Sequence, residues 1–222
     1  MASWMIHLRI ADLLLDRIEN LSAEEFIMGN IAPDSGVPNE DWSQFTPSTA
    51  VSHFRLDNGI GKKKIDIDSF VRQYFSDEAR SNYDTKSFSF YLGYLTHLLT
   101  DCLWSDKIAH PALEHFLAVG KRQMISKVKE DWYDLDHLYL RDHPDFRGFQ
   151  VYKNIKSFPN TYLDIFSRDA FDNRRAYIIR FYERENNNID RVYPYLSKEE
   201  ADRFVKEATT DIFKAIKSMD FI

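Results

Sequence analysis

The stretch from Thr85 to Trp104, TKSFSFYLGYLTHLLTDCLW, decides how the chain is read. No proline interrupts it, and Phe90, Tyr94, His97, Asp101 and Trp104 recur at helical spacing, which predicts a long helix with one core-facing side. Gly93 lies on that side; glycine in a helix interior costs about 1 kcal/mol relative to alanine, which either a close helix contact or space for a bound group would explain. His97 and Asp101 form an H-x-x-x-D pair one turn apart. That spacing suits two ligands of one metal ion, and it equally suits a hydrogen-bonded surface pair. An aspartate facing a buried surface, however, needs a cation or a hydrogen-bond network to compensate it.

Working towards the N-terminus, His7, Ala11, Leu14 and Ile18 define an amphipathic helix from about Trp4 to Asn20, with a histidine at a core-facing position. Taken alone, such a histidine reads as a structural core residue. Ser22 and Glu25 make a capping-box pattern for a short second helix that Gly29 and Asn30 end. Residues 30–48, with three prolines, predict a long irregular loop containing Asp34, in isolation a turn or capping residue. His53 follows, beside Phe54. The Lys62 to Lys64 run reads as a solvated turn that could also approach an anionic surface, and Ile65 to Tyr74 reads as a further helix.

Towards the C-terminus, Pro111 is placed to begin a helix reaching about Leu140 with a bend at Gly120, and HPDFRGF then turns the chain. Residues 159–186 predict another helix and NNNID a loop. A second capping box, Ser197 and Glu200, opens a last helix with Phe204, Val205, Ala208, Ile212 and Ile216 inward. Alternating strand patterns are almost absent. The expectation is one all-α domain over residues 1–222, a multi-helix bundle.

Composition limits the function classes. Twenty-nine Lys and Arg against 35 Asp and Glu leave a net charge of −6, without the basic footprint that stable binding of duplex nucleic acid requires. One cysteine, Cys102, excludes an intramolecular disulfide framework; it reads as a small buried residue rather than a nucleophile. Arg9, Asp12, Asp16 and Arg17 interrupt the apolar N-terminal stretch, so neither a signal peptide nor a membrane span is expected, and the cytoplasm is the default compartment. His115, His137 and His143 have no partner at ligand spacing and read as surface residues, and Phe88, Phe90, Tyr91 and Tyr94 read as core.

In order, His7, the GNIAPDS segment with Asp34, the HF pair with His53, and GYLTHLLTD with His97 and Asp101 resemble the zinc-dependent phospholipase C family, most clearly from His7 to Trp104. The resemblance implies an all-helical fold holding one to three zinc ions that hydrolyse phosphate esters. By that likeness Asp34, His53, His97 and Asp101 complete one metal site, Asp101 bridges to a neighbouring ion, and His7 serves that neighbour. Secreted relatives also use an N-terminal tryptophan; here Trp4 lies three residues before His7. The family's remaining site takes a histidine and an H-x-x-x-E pair. His110 is the candidate for the former. The later helix, DWYDLDHLYL, lacks the pair and offers Asp136 beside the inward stripe of Trp132, Leu135 and Tyr139, with Asp134 directed away and Asp131 a further carboxylate. Ligand and structural readings of His110 and Asp136 both stand.

The implied chemistry is hydrolysis by metal-activated water, zinc lowering the pKa of its water from 15.7 to about 7. Asp34 is the candidate general base. A phospholipid head group or phosphorylated small molecule is the expected substrate. The alternatives are a nuclease- or nucleotidase-like phosphoesterase, by likeness to single-strand-specific zinc nucleases, and a non-catalytic helical binding module with a structural or incomplete metal site.

Overall fold

The computed structural model describes residues 1–41, 43–56, 64–118, 125–186 and 188–222, with the side chains of all of these except 115–118, 125 and 126. The turn at Lys62 and Lys63, the bend at Gly120 and the side chain of His115 lie outside the described residues. The fold is all-α. In order come α1 (Trp4–Leu15), α2 (Ala23–Ile31), a 3₁₀ turn at Ala32–Asp34, the short pair β1 (Val37–Pro38) and β2 (Phe45–Thr46), α3 (Thr49–Ser52), and β3 (Arg55–Leu56) paired antiparallel with β4 (Lys64–Ile65). Then follow α4 (Ile67–Tyr74), α5 (Asp77–Ser81), α6 (Thr85–Trp104), a π-helical turn at Ser105–Ala109, α7 (His110–Ala118), α8 (Ile125–Asp142), α9 (Arg147–Asn154), α10 (Ala170–Tyr182) and α11 (Lys198–Ser218).

α6 is the axis of the core. Asp84 caps it, accepting from the Ser87 amide at 2.8 Å, and Phe90, Tyr94, His97 and Trp104 are all fully buried. α2 lies along α6 at a crossing built from two glycines. A Cβ on Gly93 would stand 2.2 Å from the Phe26 carbonyl oxygen, and one on Gly29 would stand 2.0 Å from that of Phe90. Close helix contact is therefore the reason for Gly93, and the contact brings the end of α2 against the middle of α6. α1 and α11 pack on the same core, where Leu8, Ile10, Leu14, Ala208 and Ile216 are buried.

Local chemistry explains where the elements depart from their predicted bounds. α1 stops at Leu15 rather than Asn20: the amides of Arg17 and Ile18 both turn back to the Leu14 carbonyl, and Asn20 takes a φ of 60°. Ser22 does not cap α2, because its hydroxyl donates to the Glu25 carboxylate instead of accepting from the backbone. The Ser197 and Glu200 box of α11 is complete, at 3.1 and 2.8 Å. Pro111 stands in the first turn of a helix, as expected. It sits one residue into α7, and lacking an N–H it cannot continue the i→i−4 ladder, which widens into the π turn just before it.

Of residues 159–186 only Ala170–Tyr182 is helical. The Asn160 side chain takes over backbone hydrogen bonds there, donating to the carbonyls of Leu163 and Phe166 at 2.7 and 2.8 Å and accepting from the amides of Tyr162 and Leu163. The turn expected at HPDFRGF runs into α9, which buries Phe149 and Tyr152 while Arg147 pairs with Asp12 of α1 and with Asp16 just after it. No helix among the described residues is long and apolar enough to cross a membrane.

Candidate metal centre

Five side chains from four places in the chain converge at the α2–α6 crossing. His7 comes from α1, Asp34 from the 3₁₀ turn, His53 from the residue after α3, and His97 and Asp101 from α6. The three histidines are fully buried and Asp101 is 3% exposed. His97, His7 and Asp101 present ligand atoms within 4.8 Å of one another, as do His97, His53 and Asp34.

The hydrogen bonds fix which nitrogens are free. His97 Nδ1 lies 2.7 Å from the Asn30 carbonyl, which can only accept, so Nδ1 carries the proton and Nε2 presents a lone pair. That lone pair points at His53 Nε2, 3.2 Å away, while His53 Nδ1 is held by the Ser52 hydroxyl at 2.9 Å. Asp34 Oδ1 stands 3.3 Å from His53 Nε2, and Asp101 Oδ2 stands 3.8 Å from the Nε2 atoms of both His53 and His97. The His7 ring stacks flat on that of His97 at 3.8 Å, its Nε2 3.4 Å from Asp101 Oδ1 but not aligned for a hydrogen bond. Both nitrogens of His7 and Asp101 Oδ2 are buried with no hydrogen-bond partner.

A buried polar atom left without a partner costs about 1–3 kcal/mol. A cation would be held by one nitrogen of His7 together with Asp101 Oδ2, and imidazole with carboxylate is a zinc donor set. The residues therefore fit a metal ion. Their ionisation agrees. Burial, then the neighbouring His7, push His97 down to about 3, so its imidazole is neutral and able to ligate. Burial works to raise the two carboxyls, but it is outweighed at Asp34 by the neighbouring His53 and at Asp101 by the N-terminal ammonium and His7; both stay well below the usual carboxylate range.

Three successive residues tie the N-terminal segment to two buried acids, Asp101 and Asp136, and to Asp34 in the cleft wall. The Ala2 amide donates to Asp101 Oδ1 at 2.8 Å, the Ser3 hydroxyl to Asp136 Oδ1 at 2.8 Å, and the Trp4 indole to Asp34 Oδ2 at 2.9 Å. Asp136 is buried, but its second oxygen accepts from the Tyr182 hydroxyl at 2.6 Å, and it belongs to neither candidate ligand group among the described residues. Burial pushes its carboxyl up to about 7, partly offset by those two hydroxyls. Neither Asp134 nor Asp131 joins the cluster. Arg191 holds Asp134 at 2.6 Å and Asp131 at 2.7 Å, and the Tyr195 amide also donates to Asp131.

His110 is also outside the two groups. It sits half-exposed on the rim of a cleft of about 700 Å³, with Ser105 at 3.3 Å and Asp106 at 3.8 Å. Asp34 lies in the wall of the same cleft, as do Trp4, Tyr133, Tyr177 and Arg174. Of the remaining histidines, His143 is exposed, whereas His137 is half-buried against Phe181 and Tyr182 rather than on the open surface. Cys102 is half-buried and burial pushes its thiol up to about 11, which keeps it protonated.

Two features of the cleft escaped the sequence reading. The tie between Trp4 and Asp34 spans 30 residues and leaves no local signal. Arg174 did leave one: Ala170, Arg174 and Ile178 stand four residues apart, so an arginine occupies the buried stripe of α10.

A family model described as zinc dependent phospholipase C matches residues 6–219 of the chain. No curated protein and no solved structure matches it.

Proposed function

The chain belongs to the zinc-dependent phospholipase C family, and on that premise we propose that it hydrolyses phosphodiesters of the phospholipid type at a zinc centre held by His7, Asp34, His53, His97 and Asp101. The observation that carries the proposal is the meeting of the His53 and His97 Nε2 atoms at 3.2 Å, flanked by two ionised carboxylates, at a point where Asp34 opens onto the cleft. When bound, zinc supplies an acidified water and neutralises charge building up on the phosphate.

The protein's own groups do the rest. The Asn30 carbonyl and the Ser52 hydroxyl hold the two imidazoles in ligand orientation. Asp34, fixed by the Trp4 indole, touches both the ligand cluster and the cleft; its low proton affinity suits a ligand and an acceptor that orients the attacking water better than a group that stores the proton. The apolar side chains Val37, Val51 and Leu56, each about half-exposed, stand on β1, α3 and β3, where neighbouring Gly36, Thr49 and Arg55 line the cleft. That rim supports an amphiphilic substrate over a small hydrophilic one. His110 and Asp136 stand apart from the ligand groups, which supports one or two ions rather than three.

The test is hydrolysis of bis-p-nitrophenyl phosphate and of short-chain phospholipids by protein of measured zinc content, before and after chelation. Activity that follows zinc content is the expected result. Full zinc occupancy without hydrolysis of any of these would turn the proposal towards a binding module.

A further inference from the structure

α10 carries a charge that no carboxylate among the described residues neutralises. Arg174 is 6% exposed and faces the cleft from the buried stripe of its helix. Its Nη2 donates to the Gly36 carbonyl at 2.6 Å, and its guanidinium lies 5.5 Å over the Tyr177 ring and 6.0 Å from that of Trp4. Among the described residues no carboxylate stands within ion-pair distance of it. One carbonyl and two ring faces offset part of the cost of burying a guanidinium, whose other donors remain available. A buried cation of this kind calls for an anion.

The setting decides what that anion is attached to. Trp4 stands between the two parts of the cleft: its indole N–H holds Asp34, at the metal ligands, and its ring faces Arg174. Trp4, Tyr133, Tyr177 and Phe181 form a cluster of edge and tilted ring contacts with centroids 5.4 to 6.2 Å apart. Such a box next to a phosphate site would by itself suit a quaternary ammonium head group. Here a fixed guanidinium already lies against two of its rings, and Arg55 and Lys129 add positive charge to the same cleft. A cationic head group would meet like charge, while a carboxylate or phosphate oxygen pair matches the guanidinium fork.

Resting on the proposed phosphodiesterase activity, we infer that Arg174 forms an anion subsite beside the metal centre that selects phosphate esters carrying a second anionic group and rejects those carrying a quaternary ammonium. Arg174 is then a substrate-binding residue, placed by its bond to Gly36. At that glycine a Cβ would stand 2.8 Å from the Pro47 carbonyl oxygen, so the local backbone is packed too closely for a side chain.

The probes are phosphoglycolate and phosphocholine, which present the same phosphate and differ in the sign of the second group. Calorimetry on zinc-loaded protein should give at least about tenfold tighter binding of phosphoglycolate to wild type, the scale of a charge-assisted hydrogen bond. Arg174→Met should bring the ratio of the two affinities towards one, with Arg174→Lys in between, at unchanged zinc content. A wild-type preference for phosphocholine, no preference, or no binding of either probe overturns the inference. So does a ratio that survives in a folded Arg174→Met protein, which would make Arg174 only a latch between α10 and the Gly36 loop. Should Arg174→Met not fold, the wild-type ratio and Arg174→Lys decide. Hydrolysis of bis-p-nitrophenyl phosphate is scored separately: loss of the affinity ratio with activity intact defeats the subsite alone, whereas selective binding without any zinc-dependent hydrolysis defeats the phosphodiesterase reading alone.

Discussion

Asp34 and Asp136 are both deeply set carboxylates held by neighbouring residues of one N-terminal segment, Trp4 and Ser3, yet their surroundings drive them in opposite directions. Asp34 shares its space with imidazoles and stays ionised; Asp136 has its side-chain hydrogen bonds from the Ser3 and Tyr182 hydroxyls, and burial raises it to about 7. Hydroxyls satisfy a carboxylate's lone pairs without opposing its charge. An imidazole nitrogen held as a lone pair, as His97 Nε2 is, leaves beside the carboxylate a place that a metal ion would fill. Burial of an acid is thus no guide to a metal ligand; the nature of its neighbours is.

The strongest way to break this contrast is to remove one member of the first group. His97→Ala should lower zinc content and hydrolysis by more than about a hundredfold, since loss of even an orienting partner costs 10–100-fold. Wild type should gain thermal stability on adding zinc, and the variant should not. Retention of stoichiometric zinc by His97→Ala would remove the shared ligand from the scheme.

pH separates the two carboxylates next. Because the folded-state pKa of Asp136 is raised, its contribution to stability is complete below about pH 4 and is lost as pH rises to about 7, an effect on the order of 4 kcal/mol at 1.36 kcal/mol per unit. Asp34 has the opposite sign: its folded-state pKa is depressed, so its contribution is present above about pH 4 and lost as pH falls further. His97, also depressed, loses its contribution as pH falls below about 6.5. Denaturant unfolding of metal-free wild type and Asp136→Asn across pH 4 to 8 should show the variant gaining relative to wild type as pH rises, with the Asp34 and His97 effects cancelling in the difference. A difference that does not change with pH would show that Asp136 is not raised.

Gly93→Ala tests the scaffold of the first group only. Its Cβ would push the Phe26 carbonyl and the end of α2, costing about 2–3 kcal/mol, and would disturb the Asn30 carbonyl that orients His97. Zinc affinity should fall by about 10–100-fold. Unchanged affinity in a destabilised variant would separate packing from ligand orientation. The smallest effect is expected for Tyr182→Phe, which removes one of the two hydroxyls donating to Asp136 and should cost about 1–2 kcal/mol with zinc content unaltered. Zinc loss in that variant would tie Asp136 to the metal centre.

Much of the helical framework was readable because its signals are local. The apolar spacing of α6, the Ser197 and Glu200 box and the run from Ile67 to Tyr74 are each contained within a few turns. Where the reading failed, a side chain had replaced the backbone. Asn160 holds an aromatic stretch open with its own amide, and Ser22 bonds to Glu25 rather than to its helix. α9 was read as a turn because HPDFRGF begins with turn residues, while its stability comes from Arg147 reaching Asp12 and Asp16 across more than 130 residues.

What the sequence by itself determined is the helical class, the position of α6 and the supply of His and Asp residues in an order that resembles a known family, because periodicity and residue chemistry are properties of short segments. Only the tertiary structure decided which acids face imidazoles and which face hydroxyls, that Gly93 serves a helix crossing, and that Arg174 stands buried beside Trp4 with no carboxylate at ion-pair distance among the described residues. Those outcomes depend on contacts such as Ala2 with Asp101, Ser3 with Asp136 and Gly36 with Arg174, made across about 100 to 140 residues, and they exist only once the core has closed around α6.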